Sequence, residues 1–340
     1  MTSGWTDIRR RSLRRVHWVH AGVLLWLVAH GISAEAQEQN APYGRSIRVN
    51  VNRVNVGVIV TDSKGKFVEG LRREDFQILD NGALQQITDF ASVDAPGQVL
   101  LLMEAGPAVY FLQDTHLLVA NSLLHGLSAE DRVAIARYTN APAALLEFTT
   151  DKRAAEAALD QIQFNLGYGE LNLARSLNTV FDWLARVSGK KTIVLLSTGL
   201  DTSPAAEMES LLSHLQTSDV RILSVSMSGP LRNGKRGNKQ QIQQTQQEFE
   251  KADAWLSNLA EATGGRAFFP ENPKAFQETY REVAQFVRHE YSLAFAPPAA
   301  DGAVHLIEVK VDLIPDSAKN KAPEYRVDHR KAYMAPKSAE

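Results

Sequence analysis

Two runs constrain this chain more than anything else in it: Val99-Leu-Leu-Leu-Met103 and Thr192-Ile-Val-Leu-Leu196. A strand that is apolar at successive positions has no side to offer to water, so it belongs inside a sheet covered on both faces. Val133-Ala-Ile-Ala-Arg-Tyr138, Ala144-Leu-Leu-Glu-Phe148 and Val220-Arg-Ile-Leu-Ser-Val225 read as further strands. Between them, helical spacing occupies about 108–125, 151–163, 171–187 and 205–217, with start signals at Thr150 and at Ser203-Pro204. Strands alternating with helices predict an α/β fold, a doubly wound and mostly parallel sheet over residues 98–290.

The two ends read differently. Ile47-Arg-Val-Asn-Val-Asn52 and Val54-Asn-Val-Gly-Val-Ile-Val60 alternate with period two, the mark of strands with one buried face. Asp62-Ser-Lys-Gly65 and Asp80-Asn81-Gly82 are hairpin turns, the second flanked by Phe76–Leu79 and Gln86–Phe90. Residues 47–95 therefore form a β unit, closed by Pro96-Gly97. A Gln-rich stretch at 240–247 opens a helix stopped by Gly264-Gly265; Arg266–Phe269 is a short strand, and 273–289 a helix. Alternation returns in Tyr291–Phe295, His305–Val311 and Tyr325–His329. Residues 291–336 are expected to pack with the 47–95 unit as a small flanking β domain.

The N-terminus carries Arg9, Arg10, Arg11, Arg14 and Arg15, then the apolar run 21–29, then Ser33-Ala34-Glu35-Ala36. This is the three-part order of a secretory signal peptide. The apolar run is shorter than the roughly 20 residues that span a bilayer. Export with cleavage near Ala36 is expected, to the periplasm or the exterior, with an N-terminally membrane-anchored form as the alternative. Residues 37–46 form a flexible lead, and no later segment is apolar enough to span a membrane.

Composition removes several chemistries. The chain has 340 residues, no Cys and a formal charge of −2. There is thus no thiolate metal site, no cysteine nucleophile, and no basic field to favour nucleic acid. Neither G-x-G-x-x-G after the first buried strand nor a P-loop lysine occurs. G-x-S-x-G and H-E-x-x-H are missing too, and Ser188-Gly-Lys-Lys191 spells S-x-x-K without its companion motifs. His116, His125, His214, His289, His305 and His329 are scattered singly. The loop Gly229–Lys239 is basic but lacks aromatics, and reads as a solvated connection more than a contact loop for an acidic partner.

In a doubly wound sheet, ligands sit beyond the C-terminal strand ends. That directs attention to Glu104-Ala-Gly-Pro-Ala108 and Thr198-Gly-Leu-Asp201. Together with Leu171-Asn-Leu-Ala-Arg-Ser-Leu177, these loops resemble the three loops of a von Willebrand factor A (VWA) domain. A wider set of motifs resembles the exported, acidobacterial-type VWFA-related proteins. It comprises Val58-x-Val60-x-Asp62 through Glu74-Asp75-Phe76, Leu127-x-x-x-Asp131-Arg-Val, Ala262-Thr-Gly-Gly-Arg-Ala267, Tyr291-x-Leu293-x-Phe295-x-Pro297 and Arg330-Lys-Ala-Tyr333. The resemblance covers about 47–336.

Metal-binding members of that family present D-x-S-x-S on the first loop, a threonine on the second and an aspartate on the third, around Mg²⁺ or Mn²⁺. Matched position by position, this chain has Glu104, Gly106, Ala108, Leu171 and Thr198 instead. The resemblance therefore implies a degenerate site, no cofactor, and a non-enzymatic module that binds a protein partner. Glu104, Gly106, Ala108, Leu171, Thr198 and Asp201 are the candidate contact residues. Two alternatives stand beside it: a rebuilt cation site from Glu104, Glu170 and Asp201 supporting metal-dependent adhesion, and an assembly subunit acting by β-strand addition.

Overall fold

Strand Gln98–Glu104 (β5) lies inside the six-stranded sheet, with every residue after Gln98 buried. In this computed structural model, which describes residues 53–166, 170–232, 239–312 and 325–337, the elements run as follows. The front strands are β1 (Val54–Thr61), β2 (Phe76–Asp80), β3 (Ala83–Gln85) and β4 (Ile87–Asp94). After β5 come α1 (Pro107–Tyr110), α2 (Gln113–Gly126), β6 (Arg132–Tyr138), β7 (Pro142–Thr149), α3 (Lys152–Leu159) and α4 (Leu173–Leu184). Next are β8 (Lys191–Ser197), α5 (Ala205–Thr217), β9 (Val220–Ser226), α6 (Gly229–Arg232), α7 (Lys239–Ala262), β10 (Ala267–Phe268) and α8 (Pro273–Arg288). The last strands are β11 (His289–Phe295), β12 (Val304–Val311), β13 (Arg326–His329) and β14 (Ala332–Met334). The leader at 1–36, the lead at 37–46 and the strand at 47–52 lie outside the described residues, as do 167–169 and 233–238.

The fold is mixed α/β with a mostly parallel central sheet. Six strands run in the order β10-β9-β8-β5-β6-β7, all parallel except the edge strand β7. Alternate residues of each strand face opposite ways. Val99, Leu101 and Met103 enter one core with α2, α3 and α8, whereas Leu100 and Leu102 enter a second with α4, α5 and α7. Apolarity at successive positions is the sequence trace of these two cores.

The expected helix at 108–125 is broken: α1 ends at Tyr110, and Leu112 (φ −113°, ψ 8°) re-starts the chain as α2. Two start signals also shift. Asp151, not Thr150, caps α3, its carboxylate accepting from Arg153 N at 3.0 Å and Ala154 N at 3.2 Å. Pro204 stands at the cap position of α5 rather than inside it, which frees Ser203 for another helix.

Two four-stranded sheets occupy the rest, ordered β13-β1-β11-β4 and β14-β12-β2-β3. The β2–β3 turn places Asn81 at φ 48° and Gly82 at φ 83°, the left-handed pair that a two-residue hairpin turn demands. Strand β1 pairs antiparallel with both β11 (Val58 with Tyr291) and β13 (Val58 with His329), so the front and rear of the chain share one sheet. Val54, Val56, Val58 and Val60 face the other sheet in a core with Ile78, Tyr291, Phe295 and Val309, while Ile59 turns into the α/β core. Gly264 (φ 71°) seats the end of α7 against this layer: a Cβ there would lie 2.3 Å from Arg330 N. Among the described residues no helix is long and apolar enough to cross a membrane.

Candidate functional site

Glu104 closes the C-terminal end of β5 and is fully buried. Its parallel neighbour β8 ends at Ser197, so Ser197 and Thr198 arrive beside its carboxyl group. Ser197 Oγ donates to Oε2 at 2.9 Å, and Thr198 N donates to the same oxygen at 2.7 Å. Thr198 Oγ1 lies 3.0 Å from Oε1 and 2.9 Å from Oε2. Tyr138, at the end of β6, stands 2.8 Å from Ser197 Oγ. Its hydroxyl also lies 3.5 Å from Glu104 Oε2, so it is shared between Ser197 and the carboxyl group. Burial pushes the Glu104 carboxyl up from 4.5 to about 7, against the opposing pull of the Thr198, Ser197 and Tyr138 hydrogen bonds.

The second loop meets this group with an apolar side chain. Leu171 is buried, and a Cβ on Gly106 would lie 3.0 Å from its Cδ1. Behind it, the first N–H groups of α4 are all taken by side chains. Asp201 Oδ1 accepts from Leu173 N at 3.1 Å, Ser203 Oγ from Ala174 N at 3.3 Å, and the cap residue Asn172 from Arg175 N at 2.7 Å. Thr202 ties the same loops together, its Oγ1 accepting from Leu171 N at 3.0 Å and donating to Leu171 O at 2.7 Å. Asp201→Ala removes an acceptor that also serves Ser203 N, at 3.1 Å. An expected loss of about 1–2 kcal/mol follows, of the size measured for lost helix caps, and urea unfolding reads it directly.

The candidate residues thus come together but differ in access. Glu104, Gly106, Leu171 and Thr198 are buried, Ala108 and Asp201 are half-buried, and Glu170 is exposed. Among the described residues no group of three His, Asp or Glu side chains stands close enough to hold a metal, so Glu104, Glu170 and Asp201 do not form a ligand set. Phe111 is 80% exposed at the α1–α2 break, and Leu166 is 53% exposed next to Asn165, whose N–H donates to Ala105 O at 3.0 Å. Neither residue was singled out by motif. Phe111 sat inside a predicted helix, and its exposure follows from a break that spacing does not reveal. In the basic loop, Arg232 is engaged: it pairs with Asp253 and lies 5.3 Å over the Phe249 ring.

No known family profile matches the chain, and no curated protein sequence matches it. Several solved structures are similar to it at a low level. The von Willebrand factor type A structure from Catenulispora acidiphila is 12% identical, with a TM-score of 0.44 over 86% of this chain and 76% of its own. BatB, a conserved hypothetical protein from Bacteroides thetaiotaomicron, is 12% identical with a TM-score of 0.40, over 56% of this chain and 98% of its own. An aerotolerance-related membrane protein from Bacteroides fragilis is 13% identical with a TM-score of 0.41, over 56% of this chain and all of its own. At this level of likeness, function rests on the residues of this chain alone.

Proposed function

We propose that the chain is an exported protein-interaction module of VWA type that has lost its metal site and binds a protein partner without catalysis. The observation that carries this reading is the closed environment of Glu104, beside exposed apolar residues on the segments that follow β5 and α3. Glu104 is sealed by Ser197 and Thr198, while Phe111, after α1, and Leu166, after α3, are exposed. A divalent cation does not fit these residues. Mg²⁺ demands oxygen ligands in near-octahedral order at about 2.0–2.1 Å. Gly106 and Ala108 offer no side-chain oxygen, Leu171 brings carbon to the position, and both Glu104 oxygens already accept hydrogen bonds. The same enclosure argues against catalysis, since no substrate atom reaches a carboxyl group with no exposed surface. Export rests on the leader pattern of residues 1–36.

The test has two arms. Thermal unfolding in EDTA, Mg²⁺, Mn²⁺ and Ca²⁺ is expected to give one Tm, whereas a specific ion at one hundred times its Kd would add about 2.7 kcal/mol. Partner retention from an envelope extract is expected to survive EDTA and to fail in the Phe111→Ser, Leu166→Ser double variant. A cation-dependent Tm, or retention that needs Mg²⁺, would overturn the reading.

A second reading has its own observation. Val304, Leu306 and Met334 are exposed on one face of the sheet β14-β12-β2-β3, and Leu84 continues that face through its pairing with Leu79. Retention that persists in the loop double variant but fails in Leu306→Lys would move binding to this sheet and favour an assembly role.

A further inference from the structure

At the end of the central sheet opposite Glu104, Lys190 and Lys191 lead into β8 while Asp219 and Arg221 flank the start of β9. A seven-residue strand separates the two ends by about 20 Å. Here a cavity of about 270 Å³ opens between the sheet and strands β1 and β11, lined by these four residues with Glu290 and Arg330. Four cations face two carboxylates, and both carboxylates are already paired. Lys191 Nζ lies 2.7 Å from Asp219, and Arg221 Nη1 lies 2.9 Å from Glu290, which Lys190 Nζ approaches at 3.8 Å. Arg221 spends its remaining donors on backbone, with Nε 3.2 Å from Gly264 O and Nη2 3.2 Å from Gly57 O.

Arg330 is different. Its backbone is pinned by a bridge to Thr263, and its Nε is shut off from water without an acceptor. Among the described residues, no hydrogen bond or ion pair reaches its guanidinium. A charged donor held from water without a partner is costly, and the guanidinium fork matches oxyanions bidentately. Lys190 Nζ also donates to Arg288 O at 3.1 Å, but the lining still holds four cations against two carboxylates, an excess that suits a phosphate, which carries about −1.5 to −2 near neutrality, better than a single carboxylate. A cavity of about 270 Å³ has room for several waters, and so for a phosphate with a small substituent.

We propose that this cavity is a phosphate-binding site, with Arg330 as the bidentate fork and Lys190 as the second charge. It stands apart from the loop face at the other end of the sheet and does not depend on that reading.

The test titrates inorganic phosphate and glycerol phosphate into the full chain, following Tm and calorimetric heat, against chloride at matched ionic strength. Phosphate is expected to raise Tm by several degrees where chloride does not. Arg330→Gln, which keeps the backbone bridge, is expected to weaken Kd at least about tenfold, the equivalent of about 1.4 kcal/mol. Lys190→Gln supplies the same reading if the first variant does not fold. The tighter of the two ligands tells whether the site serves the free ion or an ester. No response to either ligand, an equal response to chloride, or parent-like affinity in both variants would overturn the proposal.

Discussion

Arg266→Met is expected to destabilise the chain by about 3–5 kcal/mol, the cost of leaving a buried carboxylate without its counter-charge. Arg266 precedes β10 in the α/β layer, and its guanidinium pairs with Asp328 of β13, donates to Thr61 Oγ1 of β1 at 3.0 Å, and lies 4.5 Å over the Phe286 ring. One side chain therefore ties the central sheet to the sheet that joins the chain's front and rear. Both partners are under a tenth exposed, so solvent screens little of the interaction. Arg326 Nε, 2.9 Å from Asp328 Oδ1, compensates only in part because it is itself half in water. Thermal unfolding should show Tm falling by about 10 °C. The companion double variant, Arg266→Met with Asp328→Leu, should recover much of the loss, because an apolar pair replaces a buried ion pair at little net cost. A single variant that unfolds like the parent would show that the pair is not a structural tie.

The second large effect is a pH dependence seated at Glu104. Its carboxyl titrates near 7 in the folded chain against 4.5 in the open one, so between those values the folded state holds the extra proton. Stability from this group is therefore complete below about 4.5 and falls as pH rises through 7, by about 3 kcal/mol across the window. Burial acts the other way on two histidines: it lowers His116 to about 3 and His329 to about 4, so both favour the folded state as pH rises to 6.5. The raw profile mixes these slopes, and the difference between the parent and Glu104→Gln isolates the carboxyl group. Urea midpoints from pH 4.5 to 8.5 should show the parent losing ground steadily against the variant. A flat difference would mean that Glu104 is ionised throughout and that its donors outweigh its burial.

The α/β architecture was open to sequence reading because burial on both faces writes apolar residues at successive positions, as in Val99–Met103. The hairpin at Asp80-Asn81-Gly82 was equally plain, since its left-handed backbone restricts which residues serve. The loops around Glu104 were located from motif and strand order, but their access was not. Whether Leu171 fills a space or lines it depends on Gly106, 65 positions away in a separate loop, and spacing carries no trace of that. Arg266 and Asp328 are 62 positions apart and stood in two separate strand patterns, with nothing to join them. Arg330 was visible only as part of the terminal Arg330-Lys-Ala-Tyr333 motif, and Lys190 only inside the S-x-x-K spelling. Their meeting is a product of tertiary packing, which single-sequence periodicity does not encode.

The pairing of β1 with β11 and β13 also fixes when the protein can be finished. Leu71 N donates to the hydroxyl of Tyr291, 220 positions later. At synthesis rates of about 5–20 residues per second, the front strand waits on the order of ten to forty seconds for its hydrogen-bonding neighbours to emerge. Over that interval Val54, Val56, Val58 and Val60 can reach Phe76 and Ile78 but lack Tyr291, Phe295 and Val309, the later half of their core. Closure of β1 against β11 and β13 is therefore expected among the later folding events rather than the first.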